Sequence, residues 1–321
     1  MNSDRKTRTL KIYAMQTLPA TLLKRTVCAC LLLGCCTACV DEENTQSLTV
    51  EKYRPLTIGA VNMEEELPGR AVLGNGAVIG LFLSNAAGVS SYTSLYNVKY
   101  FSDGTKWTSA NPIMLGKENA AISAYHPYKD GNNPSLMVLK SQYYQDSEDI
   151  SYAKSQLRNG TSTPTATVNF SMVRAYSQIE FELNRATTYD GNFKLTKIGI
   201  KHSGIIRDCY LDVATGIYSD PATDSNFSYI PGGGSGIGGG KEEKLTSSVL
   251  MVPLTSPLTG KFTISLTIDG TENTVDINAL PLVAGTKYKV IVKVEGIHKI
   301  TVSQVTVEDW LEVPITPEYP L

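Results

Sequence analysis

The residues able to carry chemistry are few and far apart. His126, His202 and His298 are the only histidines, no two within 70 residues, and none has a cysteine or carboxylate at zinc-ligand spacing. Gly234-Ser235-Gly236-Ile237-Gly238-Gly239 fits the letter of G-x-G-x-x-G. That fingerprint needs a preceding strand, a following helix and a distant acid, whereas Lys241-Glu242-Glu243-Lys244 and a further β pattern follow here. The stretch Pro231–Gly240 therefore reads as a loop between strands. Cys209 stands alone in the body and reads as a small buried apolar residue. No G-x-S-x-G elbow and no recognisable nucleophile–base pair is present. These residues predict no catalytic activity, no metal site and no cofactor. Glu64-Glu65-Glu66 reads as a solvated acidic run, with the steering of a protease as the alternative.

Covalent chemistry is concentrated at the start of the chain. Five of the six cysteines fall between Cys28 and Cys39, so the body holds no pair for a disulfide framework. Lys24 and Arg25 precede the apolar run Val27–Leu33, which ends in small residues and cysteines, the layout of a secretory signal. The run is far shorter than the roughly 18–20 residues that cross a bilayer as a helix, and no later segment reaches that length. It resembles a bacterial lipoprotein signal, in which one cysteine becomes the lipidated first residue. Cys39, after Cys36-Thr37-Ala38 and before the acidic Asp41-Glu42-Glu43, is the favoured lipidation site. Cys35, after Leu32-Leu33-Gly34, is the alternative. This gives a signal over 1–38 and a polar tether over 39–47.

The body must supply the scaffold. With 31 acidic and 29 basic residues the net charge is −2, which leaves no basic excess to neutralise the phosphates of a nucleic acid. Only 19% of residues are charged and 42% are apolar, as in a folded globular chain. Side-chain alternation has a period of two almost throughout. Leu56, Ile58 and Ala60 alternate with Thr57 and Gly59, and Ile179, Phe181 and Leu183 with glutamates. Phe262, Ile264, Leu266 and Ile268 alternate with hydroxyl residues. Val78–Leu83 is a continuous apolar strand. No dozen residues show helical periodicity, although a short helical turn is expected near Asp149–Gln156. The polar stretch Asn159–Thr167 reads as a linker between a first domain, 48–163, and a second, 164–321.

Six short segments then carry a resemblance. They are Trp107 with Ile113-Met114-Leu115 and Ile122–Tyr128, then Asp149–Ala153, Phe170–Ala175, Leu250–Pro253, Leu282–Tyr288 and Val302–Trp310. Taken in this order they resemble the signature of the fimbrillin family of Bacteroidetes over most of residues 70–310, with Met172 where the family usually has histidine.

The resemblance implies an all-β chain of two transthyretin-like β-sandwich domains in tandem after the lipoprotein signal. It implies a structural or adhesive subunit of type V pili, exported to the cell surface as an outer-membrane lipoprotein. Its partners would be further fimbrial subunits, a trypsin-like protease and a ligand on a host or bacterial surface. Processing would fall between Arg70 and Ala71, in the Pro68-Gly69 turn. The departing segment would carry the strand of Leu56, Ile58 and Ala60. A neighbour's strand would fill the groove, and segment 305–315, with Val305, Val307, Leu311 and Val313 on one face, is the donor candidate. A tip or anchor subunit, or a non-polymerising surface lipoprotein that binds glycan, is the alternative.

Overall fold

Alternating apolar and polar residues bury one face of an extended strand, and sheets built this way must pair their apolar faces to leave water. The computed structural model describes residues 53–63, 72–85, 95–161, 166–254 and 256–310, and in these strands dominate. The chain first lays down β1 (Arg54–Pro55), β2 (Thr57–Met63), β3 (Val78–Asn85), β4 (Leu95–Ser102), β5 (Trp107–Thr108), β6 (Met114–Leu115), β7 (Ala120–His126), β8 (Met137–Lys140), β9 (Gln142–Tyr143), β10 (Ser151–Arg158) and β11 (Thr167–Arg174). It continues with β12 (Ser177–Arg185), β13 (Lys194–Lys201), β14 (Ile206–Asp212), β15 (Ile217–Thr223), β16 (Asn226–Tyr229), β17 (Ile237–Gly238), β18 (Lys244–Met251), β19 (Lys261–Ile268), β20 (Thr271–Asn278), β21 (Thr286–Gly296) and β22 (Lys299–Asp309). Among the described residues no helix is long and apolar enough to cross a membrane.

The first sandwich is built from strands in the order β2-β11-β10-β7-β3-β4-β5. β11 meets β10 only at Ser151–Arg174 and Tyr152–Val173. Beyond that corner, inward side chains of β2 and β11 (Ile58, Val61, Phe170, Met172) share one core with those of β3 and β7 (Ile79, Leu81, Leu83, Ile122). The second sandwich sets β22-β21-β12-β18-β9 against β16-β13-β19-β20. Its core includes the three alternating apolar residues of β12 and all four of β19.

A third core joins the halves. Phe82, Tyr125 and Tyr152 from the first half meet Cys209, Leu211, Leu250 and Trp310 from the second. A small sheet, β15-β14-β8, covers this junction, with β8 supplied by the first half and β14 and β15 by the second. β3 consequently has core on both faces, Leu81 and Leu83 on one side and Phe82 on the other. That is why Val78–Leu83 is an unbroken apolar run.

Two sequence expectations differ from the fold. Asn159–Thr167 is not a boundary between domains: it lies between β10 and β11, neighbours in the first sandwich. Val168, Phe170 and Met172, placed beyond residue 163, fill the first core, and the chain crosses to the second sandwich only after Arg174. Residues Ser151–Arg158 form a strand rather than a helical turn, because Ile150 and Tyr152 are drawn into the junction core. The turn is one of 3₁₀ type at Asp146–Glu148. The glycine-rich stretch is a loop, as its sequence implies, but Ile237 pins it by pairing with Leu195 of β13. Gly236, at φ +77°, backs onto the Leu195 carbonyl, where a side chain has no room.

Candidate functional site

The segment ahead of Arg70 is a strand plugged into the first sandwich. β2 runs parallel to β11 at the edge of its sheet. It contributes Ile58, Val61 and Met63 to the core, and Leu56 joins them from just before the strand. The expected face of Leu56, Ile58 and Ala60 is right for the first two residues and wrong for the third. The register shifts between Val168 and Phe170, so Ala60 turns outward and Val61 takes the inward place. The cause is Asn169. Its side-chain oxygen accepts the Ala60 N–H at 2.9 Å, and a Cβ at Gly59 would overlap that oxygen. A glycine inside an alternating strand is the sequence sign of such a bulge.

The return from this strand brings Asn62 and Val72 together in an antiparallel bridge, and the Leu73 N–H donates to the Val61 carbonyl at 3.0 Å. Arg70 and Ala71 belong to the connection between these points and lie outside the described residues. So do Cys35 and Cys39, Leu311 and Val313, and the Glu64–Glu66 run.

At the other end of the chain, β22 completes its own sheet. It pairs antiparallel with β21, Val305 opposite Val290 and Val307 opposite Tyr288, and forms the sheet's edge. Directly opposed residues share a face, so both valines lie on the face from which Val290 and Tyr288 enter the core. Yet Val305 is 41% and Val307 69% exposed. A register shift at Ile291–Val292 divides the strand. Before it, Ile300 and Val302 pack on the core; beyond it, among the described residues, no second layer covers the valines. The opposite face carries Lys287 and Lys289, which pair with Glu180 at 2.8 Å and Glu182 at 3.0 Å and reach Glu308 of β22 at 3.6 and 3.8 Å.

β22 ends on an anchor that the residue types alone did not single out. Trp310 is buried in the junction core, its ring 4.5 Å from the guanidinium carbon of Arg174, the last residue of β11. Arg174 pairs with Asp149, both side chains buried. A guanidinium over an indole face is held by the ring quadrupole, and the pair with Asp149 neutralises the buried charge. Asp149→Asn should therefore lower global stability by about 3–5 kcal/mol, since it removes one charge from a buried ion pair. A urea unfolding curve checks this, and a loss below about 1 kcal/mol would place the pair among surface ion pairs.

The remaining chemistry-bearing residues have structural settings. Cys209 is buried and burial pushes its thiol up to about 11. A ring nitrogen of His126 lies 3.0 Å from the Val78 carbonyl. Among the described residues no group of His, Cys, Asp and Glu is placed to hold a metal ion.

Five of the six signature segments meet in the junction core, and the sixth, Leu282–Tyr288, enters the second core. Tyr125, Tyr152, Ala175, Leu250, Val252 and Trp310, far apart in sequence, all enter the junction core, while Trp107 packs on the first core. Comparison with known proteins agrees. The structure is similar to that of a candidate cell adhesion protein from Bacteroides ovatus, with TM-score 0.58 and 17% identity over 82% of this chain and 99% of that one. It is similar to a second such protein from Bacteroides uniformis, with TM-score 0.57 and 18% identity over 81% and 99%. No curated protein matches the chain. The sequence model described as fimbrillin-like matches residues 69–310, from one residue before Arg70 to Trp310. The chain thus belongs to the fimbrillin-like family, and is a structural or adhesive subunit of a cell-surface fimbrium.

Proposed function

We propose that this subunit reaches the outer membrane as a lipoprotein anchored through Cys39, or alternatively Cys35. A trypsin-like protease then cuts after Arg70, and the subunit joins the fibre by strand exchange. The observation that carries the reading is the plug: ahead of Arg70, β2 fills the first core, paired along its length with β11 and tied at its end to Val72 and Leu73. Its departure with the fragment ending at Arg70 opens a groove of the shape of one strand. A strand added to a sheet edge gains backbone hydrogen bonds, and pockets for alternate side chains select it. The donor is the distal half of β22 with the residues after it, presenting Val305, Val307, Leu311 and Val313. Trp107 and Trp310 both pack on cores, so neither is presented as a glycan platform.

Two readouts on one culture test the scheme. Fatty-acid labelling of cell-associated protein should vanish in a Cys35→Ala, Cys39→Ala double variant, and sheared fibres of the wild type should begin at Ala71. Persistent labelling overturns the anchor. Fibres that begin at a lipidated cysteine overturn the processing step.

A further inference from the structure

We propose that the outward face of the β15-β14-β8 sheet is a contact surface for a second copy of this chain in the fibre. The inner face of this sheet closes the junction core through Met137, Leu139, Cys209 and Leu211. Alternation then directs Val138 and Tyr210, cross-strand partners, outward side by side. Ile217, opposite Asp212, lies on the same side as Tyr210, and Leu136 immediately precedes β8. All four are exposed large apolar residues, from 36% for Tyr210 to 62% for Ile217. The face is otherwise finished as solvent-facing sheet, with Lys140 and Asp208 in the adjoining row.

Two features fix the occupant. The first is size: the four side chains present an apolar patch of about 400 Å², the scale of functional patches on single chains. Doubled, that is about 800 Å², the ceiling of casual crystal contacts and short of the area a free complex needs. Such a patch binds only where its partner is already held close, at the high effective concentration that a linked chain of subunits supplies. The second is the guarded edge. β15, the outer strand, carries Pro221 and an Asp220 at φ +48°. Proline and a distorted edge oppose strand addition along β15, so on that side the apolar face rather than the backbone edge is left available. A second copy, brought alongside by the fibre, meets both conditions. The inference rests on the fimbrial reading and assigns a side-on contact that strand exchange does not provide.

The test incorporates a photo-crosslinking p-benzoylphenylalanine in place of Tyr210, an exposed position that accepts a larger aromatic ring, in the full chain expressed in cells that assemble fibres. Irradiated, sheared fibres should show copy-to-copy crosslinks above the same fibres carrying the probe at the exposed Lys261. In parallel, the variant Val138→Glu, Ile217→Glu should fold with the wild-type melting temperature and reduce polymer mass about tenfold, the effect of 1.4 kcal/mol per contact. Crosslinks to another protein, or none, overturn the proposal even where the glutamate variant fails to fold. Unchanged polymer mass in a folded glutamate variant also overturns it. If the wild-type chain forms no fibres, the fimbrial reading fails and this one with it; wild-type fibres without crosslinks sink the contact surface alone.

Discussion

Arg70→Ala should yield a folded precursor that accumulates and does not enter fibres. The substitution lies in the sequence between β2 and Val72 and replaces no residue of the described cores, so a thermal melt of the variant should match that of the wild-type precursor. Assembly is different, because in the proposed scheme it requires the plug to leave. Leu56, Ile58, Val61 and Met63 are all buried. Their burial is worth roughly 6–12 kcal/mol as an upper bound, comparable with the whole stability of a domain at about 5–15 kcal/mol. While the plug remains part of the chain, its effective concentration at the groove excludes a strand from another molecule. Cutting the chain removes that advantage and turns displacement into a competition between two separate strands. Native fibre yield from cells expressing the variant, set against wild type, measures the effect, and the expected yield is nil. Fibres from the variant that start at Ala71 would show that the protease reads another feature.

The same arithmetic limits what a processed subunit can do alone. Without β2, Phe170, Met172 and Val168 of β11 and Ile79 of β3 lose an apolar neighbour, and the open edge of β11 exposes unpaired backbone groups. A chain that begins at Ala71 is therefore expected to be soluble only when a strand occupies the groove.

Much of this was legible in the residues. Period two over β12 and β19 gave those strands and their buried faces directly, because each has one side against a core and one against solvent. Val78–Leu83 broke that pattern for a reason visible only in three dimensions, a second core behind the sheet. The plug was half legible. Leu56 and Ile58 followed the alternation, but Asn169, more than a hundred residues away, sets the bulge that turns Ala60 outward; Gly59 was its only local sign. The linker reading failed because polar, proline-bearing composition marks any exposed connection, and two neighbouring strands need one as much as two domains do. Asp149, Arg174 and Trp310 stand in three separate signature segments. That they form one buried anchor depends on a convergence no spacing encodes.

Val305→Asp with Val307→Asp should leave the precursor folded and abolish its polymers. Both valines are substantially exposed at the edge of the second sandwich, so two carboxylates there stay hydrated and cost the free chain little. The ladder to β21 and the Trp310 anchor are untouched. In the groove the outcome reverses. The plug presents two apolar pairs, Leu56 with Ile58 and Val61 with Met63, divided by the bulge. The C-terminal segment offers two pairs of its own, Val305 with Val307 and Leu311 with Val313, divided by Asp309. A donor that carries aspartates at the first pair would bury two charges without partners, at a cost of several kcal/mol each. That exceeds the roughly 3–6 kcal/mol that two valines contribute. On the donor reading, the register shift at Ile291–Val292 would let β22 serve twice: Ile300 and Val302 hold the proximal half to its own core, and the distal half is kept by backbone bonds, the two ion pairs of Glu308 and one tryptophan. The edge position also makes the experiment decisive. Sedimentation of processed subunits would report the loss of polymer and circular dichroism the intact precursor. A folded double variant that polymerises as wild type would remove Val305 and Val307 from the donor strand and leave β22 a permanent part of its own sheet.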